Sequence, residues 1–269
     1  MLVVRRENDT IRRYLHMGTG NYNDITARFY TDIGLFTCDE KFGEDATSLF
    51  NVITGYSTPP VYHKMKVAPT GLRIFFEEMI RNETENARAG LPSGITAKVN
   101  SLVDPSIIRL LYEASQAGVK ITLIVRGICC LIPGIKGISE NIQVRSIVGQ
   151  LLEHSRIFIF ENGGMKKIYM GSADWMQRNL DKRVELVFPI EDQELLERSF
   201  GIMSTMLRDV LNTRIQKSDT SYELLDRRGK KVRDCQTEFY DEARKELAAK
   251  KSTVLEERQF IPLTKPSDT

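Results

Sequence analysis

The segment "LLEHSRIFIFENGG", residues 151–164, sets His154 two positions before Arg156 at the mouth of an apolar run. An imidazole is suited to nucleophilic or proton-transfer work near neutral pH, and a guanidinium fork is suited to phosphate oxygens. "VKITLIVRG" ends on Arg126 followed by Gly127. If that run is a parallel strand, Arg126 stands at its carboxyl end, where α/β sheets bind ligands, and has reason to meet phosphate. The turns "GTGN" (18–21) and "GSAD" (171–174) add Thr19, Asn21 and Ser172, whose hydroxyls and amide could hold phosphate oxygens. Such residues also occur in turns on conformational grounds alone. Lys98 and Asn100, two apart on a strand, face one side and suit either a polyanion or an ordinary polar face. The chemistry that would use this set is phosphoryl transfer, with His154 as a packed, hydrogen-bonded core histidine the bland alternative.

Bulk composition narrows the partners. With 38 Lys+Arg against 36 Asp+Glu, the net charge of +2 excludes a uniformly basic nucleic-acid surface, so any polyanion site is local. Cys38, Cys129, Cys130 and Cys235 show no paired C-x-x-C spacing, which argues against a zinc cage or disulfide framework and for a reducing cytosol. Cys129 and Cys130 read as small buried hydrophobes. No apolar stretch approaches the length that spans a bilayer, and "MLVVRREND" has too short an apolar region for a signal peptide. The chain reads as soluble and cytoplasmic, with no integral membrane segment.

The elements that must position these groups follow from periodicity. "MLVVRR", "IRRYLHMG" and "DIGLFTC" read as strands, and "EDATSLFNVITGY" as a helix stopped at Gly55. "MLVVRR" begins a core-type strand at the first residue, as if at a cut edge. Pro59 and Pro60 mark a subdomain boundary, because adjacent prolines continue neither helix nor ladder. "TGLRIFFEEMIRNETENARAG" has a helical apolar face closed by Gly90. "GITAKVNSLV", "DPSIIRLLYEASQAG" and "VKITLIVRG" form a βαβ unit, its helix capped by Asp104 with Pro105 first, which implies a parallel sheet. "SRIFIFENGGMKKIYMG" reads as a hairpin, and a long helix is expected from about Glu191 to Asn212. Beyond Lys217 the chain is charged and helix-prone at 236–250. Neither G-x-G-x-x-G nor a Walker sequence occurs, so Rossmann and P-loop readings are dropped.

An internal repeat weighs on His154. "LVVRRENDTIRRYLHMGTGNYNDITARFYTDIGLF" parallels "IFIFENGGMKKIYMGSADWMQRNLDKRVELVF", setting Gly18-Thr19-Gly20-Asn21 on Gly171-Ser172-Ala173-Asp174, Tyr30 on Arg183 and Asp32 on Glu185. His16 lies inside a strand and has no basic residue two positions on, so it is not the equivalent of His154. The counterpart of His154 falls before Met1. His63, after the proline break, is expected on the surface.

His-x-Lys/Arg, a strand hairpin, then Gly-Ser/Thr-x-Asn resembles the phospholipase D superfamily, in which two such halves share one phosphoryl-transfer site. The blocks "HMGTGNYNDITARFYTD", "LPSGITAKVNSLVD", "VRGICCLIPG", "ISENI", "LEHSRIFIFENGG" and "SADWMQRNLDKRVE" narrow the resemblance to the long-chain bacterial polyphosphate kinases, over about residues 1 to 215. The resemblance implies an α/β fold of two phospholipase D-like subdomains with mixed sheets flanked by helices. Residues 1–60 would be the C-terminal part of the first, truncated subdomain, and residues 61–269 the second with a helical tail. It implies reversible transfer of the ATP terminal phosphate to polyphosphate through a phosphohistidine, with Mg2+. The phosphorylated His-x-Lys, the magnesium-contacting arginines and two N-terminal domains would lie upstream, and the complete enzyme is expected to be a homo-oligomer. Carried over by position, the family's nucleotide-contacting tyrosine and arginine fall on Tyr30 and Arg126, and its second essential histidine on His154. Arg156 and Arg183 are expected to neutralise phosphate charge. The competing classes are a phospholipase D-like phosphodiesterase or nuclease, which would need His-x-Lys-x4-Asp where this chain has Ile159 and Glu161, and a non-catalytic nucleotide- or polyphosphate-binding fragment.

Overall fold

The computed structural model describes residues 1–252 apart from residue 8. Strands β1 (Leu2–Glu7) and β2 (Thr10–Gly18) form an antiparallel hairpin, followed by the two-residue β3 (Tyr30–Thr31), β4 (Gly34–Thr37) and helix α1 (Glu40–Ile53). The Asp39 carboxylate accepts the Phe42 N–H and starts α1. After the prolines come β5 (Lys66–Ala68) and α2 (Leu72–Arg88), then β6 (Gly94–Val99), α3 (Pro105–Gln116) and β7 (Lys120–Val125). Asp104 accepts the N–H groups of Ser106 and Ile107, with Pro105 opening the helix as its spacing predicts. β8 (Ile142–Ile147), β9 (Leu152–Glu153), β10 (Arg156–Phe160), β11 (Lys167–Gly171), α4 (Gln177–Asp181) and β12 (Glu185–Ile190) complete the central part. The expected long helix is shorter: α5 runs Gln193–Leu207 because Asp192 caps it, and the chain turns back at Asp209. The tail holds β13 (Thr213–Gln216), β14 (Tyr222–Leu224) and α6 (Cys235–Ser252), of which only the helix was expected. Residues 253–269 of the expected second subdomain lie outside the described residues.

Nine strands form one mixed sheet in the order β14-β13-β8-β7-β6-β10-β11-β12-β5, while β1-β2-β4 form a separate antiparallel sheet. The βαβ unit is parallel, Gly94 opposite Lys120 through Val99 opposite Val125. β10 joins it antiparallel, Ile157 opposite Lys98, which makes the sheet mixed. Both faces are apolar and covered. Phe158, Phe160, Ala97 and Leu123 enter one cluster with α2 and α3, whereas Ile157, Ile159 and Ile124 enter the other with α1, α5 and the start of α6. Leu15 and Met17 of β2 belong to that second cluster, so the small sheet and the large one share a core.

The repeat is visible as geometry. β2 pairs β4 with Gly18 opposite Gly34 and Met17 opposite Leu35; β11 pairs β12 with Gly171 opposite Val187 and Met170 opposite Phe188, each pair moved by one constant offset. The Thr19 N–H donates to Ile33 O and the Ile33 N–H to Thr19 Oγ1, and Ser172 and Leu186 repeat both bonds. Thr19 Oγ1 then reaches Asp32, and Ser172 Oγ reaches Glu185. His63 is on the surface, paired to Glu44 at 3.2 Å. Of the two adjacent cysteines, Cys129 is half-buried and Cys130 exposed, because Cys130 lies where the chain leaves the sheet; the buried reading is corrected.

Candidate phosphoryl-transfer site

β3 and β9 pair in parallel, Tyr30 opposite Leu152 and Thr31 opposite Glu153. The pairing continues on both sides: the Leu152 N–H donates to Phe29 O at 2.8 Å and the His154 N–H to Thr31 O at 3.2 Å. It draws a loop of the N-terminal part onto the segment carrying His154. The Tyr30 ring lies against the His154 ring, centroids 4.7 Å apart. Asp32 faces His154 Nδ1 with carboxylate oxygens at 3.0 and 3.1 Å. A carboxylate accepts only, so Nδ1 carries the hydrogen of this contact. Thr19 Oγ1 donates to the same carboxylate at 2.7 Å. Gly20 is required here, since a Cβ would strike Asp32.

Beneath the histidine the backbone is clamped from β6. Lys98 Nζ donates to Ser155 O at 3.0 Å and Ser155 Oγ at 2.7 Å, and pairs with Glu153 at 3.3 Å. Complete burial pushes the Lys98 ammonium below its ordinary value, with Glu153 opposing. Asn100 Nδ2 donates to His154 O at 3.1 Å, and Asn100 Oδ1 accepts from Arg126 Nε at 2.9 Å. Arg126 thus joins His154 through one amide, and its two terminal nitrogens meet no protein acceptor among the described residues.

Arg156 is differently placed from the expectation of an open phosphate fork. Nε and Nη2 donate to the two oxygens of Asp174 at 3.2 and 3.1 Å, and Nη1 donates to Thr19 O and His154 O at 3.1 and 2.8 Å. Four of its five N–H groups are engaged and it is 7% exposed. Nη1 also lies 3.1 Å from His154 Nε2 and 3.2 Å from Nδ1, so the guanidinium packs along the ring it supports. Arg183 stands apart from this cluster, its side chain 60% exposed and 3.8 Å from Glu185. Glu185 itself is buried and accepts from Ser172 Oγ and Asn179 Nδ2.

The structure therefore brings Tyr30, Arg126, His154 and Arg156 together and leaves Arg183 on the edge of the second half. Sequence reasoning gave no role to Asp32, Asp174, Glu153 or Gln236. The last donates to Glu153 at 2.7 Å and to Leu151 O at 2.8 Å from the first turn of α6. Two of the four carried a signal in the repeat, Asp32 aligned with Glu185 and Asp174 aligned with Asn21. Beside the site, sharing Tyr30 and Asp32 as its wall, lies a cavity of about 420 Å3 whose lining includes His16, Gly20, Asn21 and Tyr22. His16 contacts the Tyr22 hydroxyl through Nδ1 at 2.5 Å and packs on Phe36, so it borders the cavity rather than His154.

Two domain families match in tandem: "Polyphosphate kinase C-terminal domain 1" over residues 1–59 and "Polyphosphate kinase C-terminal domain 2" over residues 65–236. The polyphosphate kinase of Lactiplantibacillus plantarum is 53% identical over 99% of this chain and 38% of its own length. That of Synechocystis sp. is 56% identical over 78% of this chain and 29% of its own. The crystal structure of polyphosphate kinase from Porphyromonas gingivalis superposes with a TM-score of 0.85 at 33% identity, covering 92% of this chain and 38% of that one. The chain thus spans less than two fifths of the length of each of these relatives.

Proposed function

Because the chain belongs to the polyphosphate kinase family, we propose that it carries one half of a site that moves the terminal phosphate of ATP reversibly onto inorganic polyphosphate. The observation that carries this reading is the joint placement of Tyr30, Asp32, Arg126 and His154 from three separate segments. A ring for a nucleotide base, an arginine with free terminal donors and a histidine fixed by a carboxylate are the parts such a transfer needs.

In this reading Arg126 binds the polyphosphate tail of ATP or the acceptor, and Tyr30 with the adjoining cavity receives base and ribose. The nucleophile is a histidine that stands to β1 as His154 stands to β10, a position before Met1. Glu185 would hold it as Asp32 holds His154, and the buried, unpartnered Asn179 Oδ1 offers a further acceptor there. Its imidazole nitrogen bonds to the γ-phosphorus as the bond to the bridging oxygen breaks and ADP leaves. A terminal oxygen of polyphosphate then takes the phosphoryl group and frees the imidazole. His154 gives or receives the proton of that oxygen, and Arg183 neutralises charge at the rim. ADP and ATP exchange roles in the reverse direction.

Magnesium, expected with ATP, finds no free carboxylate among the described residues that surround His154. Asp32 is engaged by Thr19 and His154, Asp174 by Arg156 and Asn100, and Glu185 by Ser172 and Asn179. No step assigned to these residues runs through the ion. Among the described residues no helix is long and apolar enough to cross a membrane. In this reading the complete enzyme is cytoplasmic, homo-oligomeric and completed by upstream domains.

The test joins the residues preceding the matched segment in the L. plantarum relative to Met1. That chimera should make polyphosphate from ATP, and His154→Ala should slow it by about 10²- to 10⁴-fold. The 269-residue chain alone should bind a fluorescent ATP analogue in the micromolar to millimolar range, about 4 to 8 kcal/mol, and take no acid-labile label from γ-labelled ATP. Label on the chain alone, lost in His16→Ala, would overturn the placement of the nucleophile.

A further inference from the structure

Between β14 and α6 the chain reads Arg227-Arg228-Gly229-Lys230-Lys231-Val232-Arg233, five basic residues in seven, and the site described above uses none of them. The segment has no regular structure, and Gly229 supplies a left-handed turn at φ +70. Its backbone is anchored, since the Val210 and Leu211 N–H groups both donate to Arg233 O at 3.0 Å. The fold lays this segment along the C-terminal end of α5. Lys230, Lys231 and Arg233 line a groove of about 500 Å3 there together with Arg208 and Arg145, the latter from β8.

Four of the five cations of this groove have no ion-pair partner among the described residues. Arg145 is half-buried, yet its guanidinium meets only neutral acceptors: Leu207 O at 2.7 Å and Gln143 Oε1 at 2.8 and 3.0 Å. Burial pushes it below the ordinary arginine value. Arg208 donates to Thr205 Oγ1 at 3.2 Å, and neither it nor Arg145, Lys230 or Lys231 has an ion-pair partner among the described residues. Arg233 reaches Glu238 only at 3.9 Å. The one acid in the lining, Asp209, is fully buried and accepts from the Asn212 and Cys235 N–H groups and Thr213 Oγ1. Five cations around one groove repel one another, and a bound polyanion is what relieves that repulsion.

We propose that this groove is a second, non-catalytic docking track for inorganic polyphosphate. The proposal rests on the reading that the chain handles polyphosphate, and it adds a place where the polymer is held away from the reacting phosphate. A linear chain with a charge on every phosphate meets cations contributed by α5, β8 and the loop together, which a single phosphate does not. The apolar floor is Leu207, Val210 and Leu225, all aliphatic. Single-stranded nucleic acid binds such grooves through aromatic platforms that stack its bases, and none lines this one.

The experiment measures fluorescence anisotropy of end-labelled long-chain polyphosphate, and separately of a labelled oligothymidylate of matched charge, with the 269-residue chain. The triple variant Arg208→Gln/Lys230→Gln/Lys231→Gln should weaken polyphosphate binding about tenfold or more and reduce its salt slope by about 2 to 3. Its circular dichroism and its affinity for the fluorescent ATP analogue should not change. Lys230→Arg/Lys231→Arg should bind as the parent does, and Arg126→Gln should lose the ATP analogue while weakening polyphosphate binding less than the triple variant does. Unchanged polyphosphate binding in the triple variant overturns the proposal, as does its complete loss in Arg126→Gln. Oligothymidylate bound as tightly and lost in the same variant would reassign the groove to nucleic acid. Polyphosphate binding that depends on the groove in a chain without ATP affinity would leave the groove standing and the catalytic reading overturned.

Discussion

Asp32 and His154 lie 122 residues apart in the chain, and the carboxylate of one stands 3.0 Å from Nδ1 of the other. The bond crosses between the N-terminal part and the segment that leads into the large sheet, so the imidazole of one part is oriented by the carboxylate of the other. Asp32→Asn keeps the shape but can present an amide N–H to Nδ1 and favour the wrong tautomer. In the chimera the expected outcome is a loss of about 10²- to 10⁴-fold in transfer rate with ATP-analogue affinity within about twofold. Nitrogen chemical shifts of His154 read the tautomer directly, and an unchanged tautomer would refute the orienting role.

Gly20 constrains that bond closely, since a β-carbon there would meet the Asp32 side chain. Gly20→Ala should destabilise the chain by about 1 to 3 kcal/mol and displace Asp32 from His154. Urea unfolding gives the first effect and His154 chemical shifts the second. A variant with parental stability and an unmoved histidine would show that the loop accommodates the methyl group.

The Arg156–Asp174 pair is buried on both sides, each side chain 9% exposed. Removing one partner leaves an uncompensated charge, so Asp174→Ala is expected to cost about 3 to 5 kcal/mol in urea unfolding. Asp174→Asn, which keeps an acceptor and loses the charge, should cost less. Equal costs would mean that the lost charge alone, and not the lost acceptor, sets the effect.

Thiol chemistry checks the burial of the core near the site. Burial pushes Cys129 up to about 11 and Cys235 higher still. Both therefore stay protonated, while Cys38 and Cys130 are exposed. At about pH 8 a disulfide reagent should titrate two thiols quickly and the other two only after unfolding. Because the Cys129 thiol is raised in the folded state, it stabilises the fold below its ordinary value of 9.0 and loses that contribution as pH climbs towards about 11. The melting temperature should fall over that window, and less steeply in Cys129→Ala.

The amino-acid sequence determined the parts whose information is local. Apolar periodicity and caps specify the elements, as at Asp104-Pro105 and Asp192, because a helix or strand is stabilised by neighbours within one turn or one pleat. Arg126 and His154 were legible because each sits at the end of an apolar strand, and the repeat marked the turns at Gly18 and Gly171. The tertiary structure alone decided the rest. Nothing near Tyr30 or Leu152 announces that β3 and β9 pair, since two-residue strands have no period to read. Nothing near Arg156 announces that Asp174, eighteen positions on, fills its fork and turns an expected phosphate ligand into a support for the histidine. Polar partners are chosen by which groups the packed core leaves facing one another across a gap. That is a property of shape in three dimensions, settled only when the two apolar clusters close around the sheet.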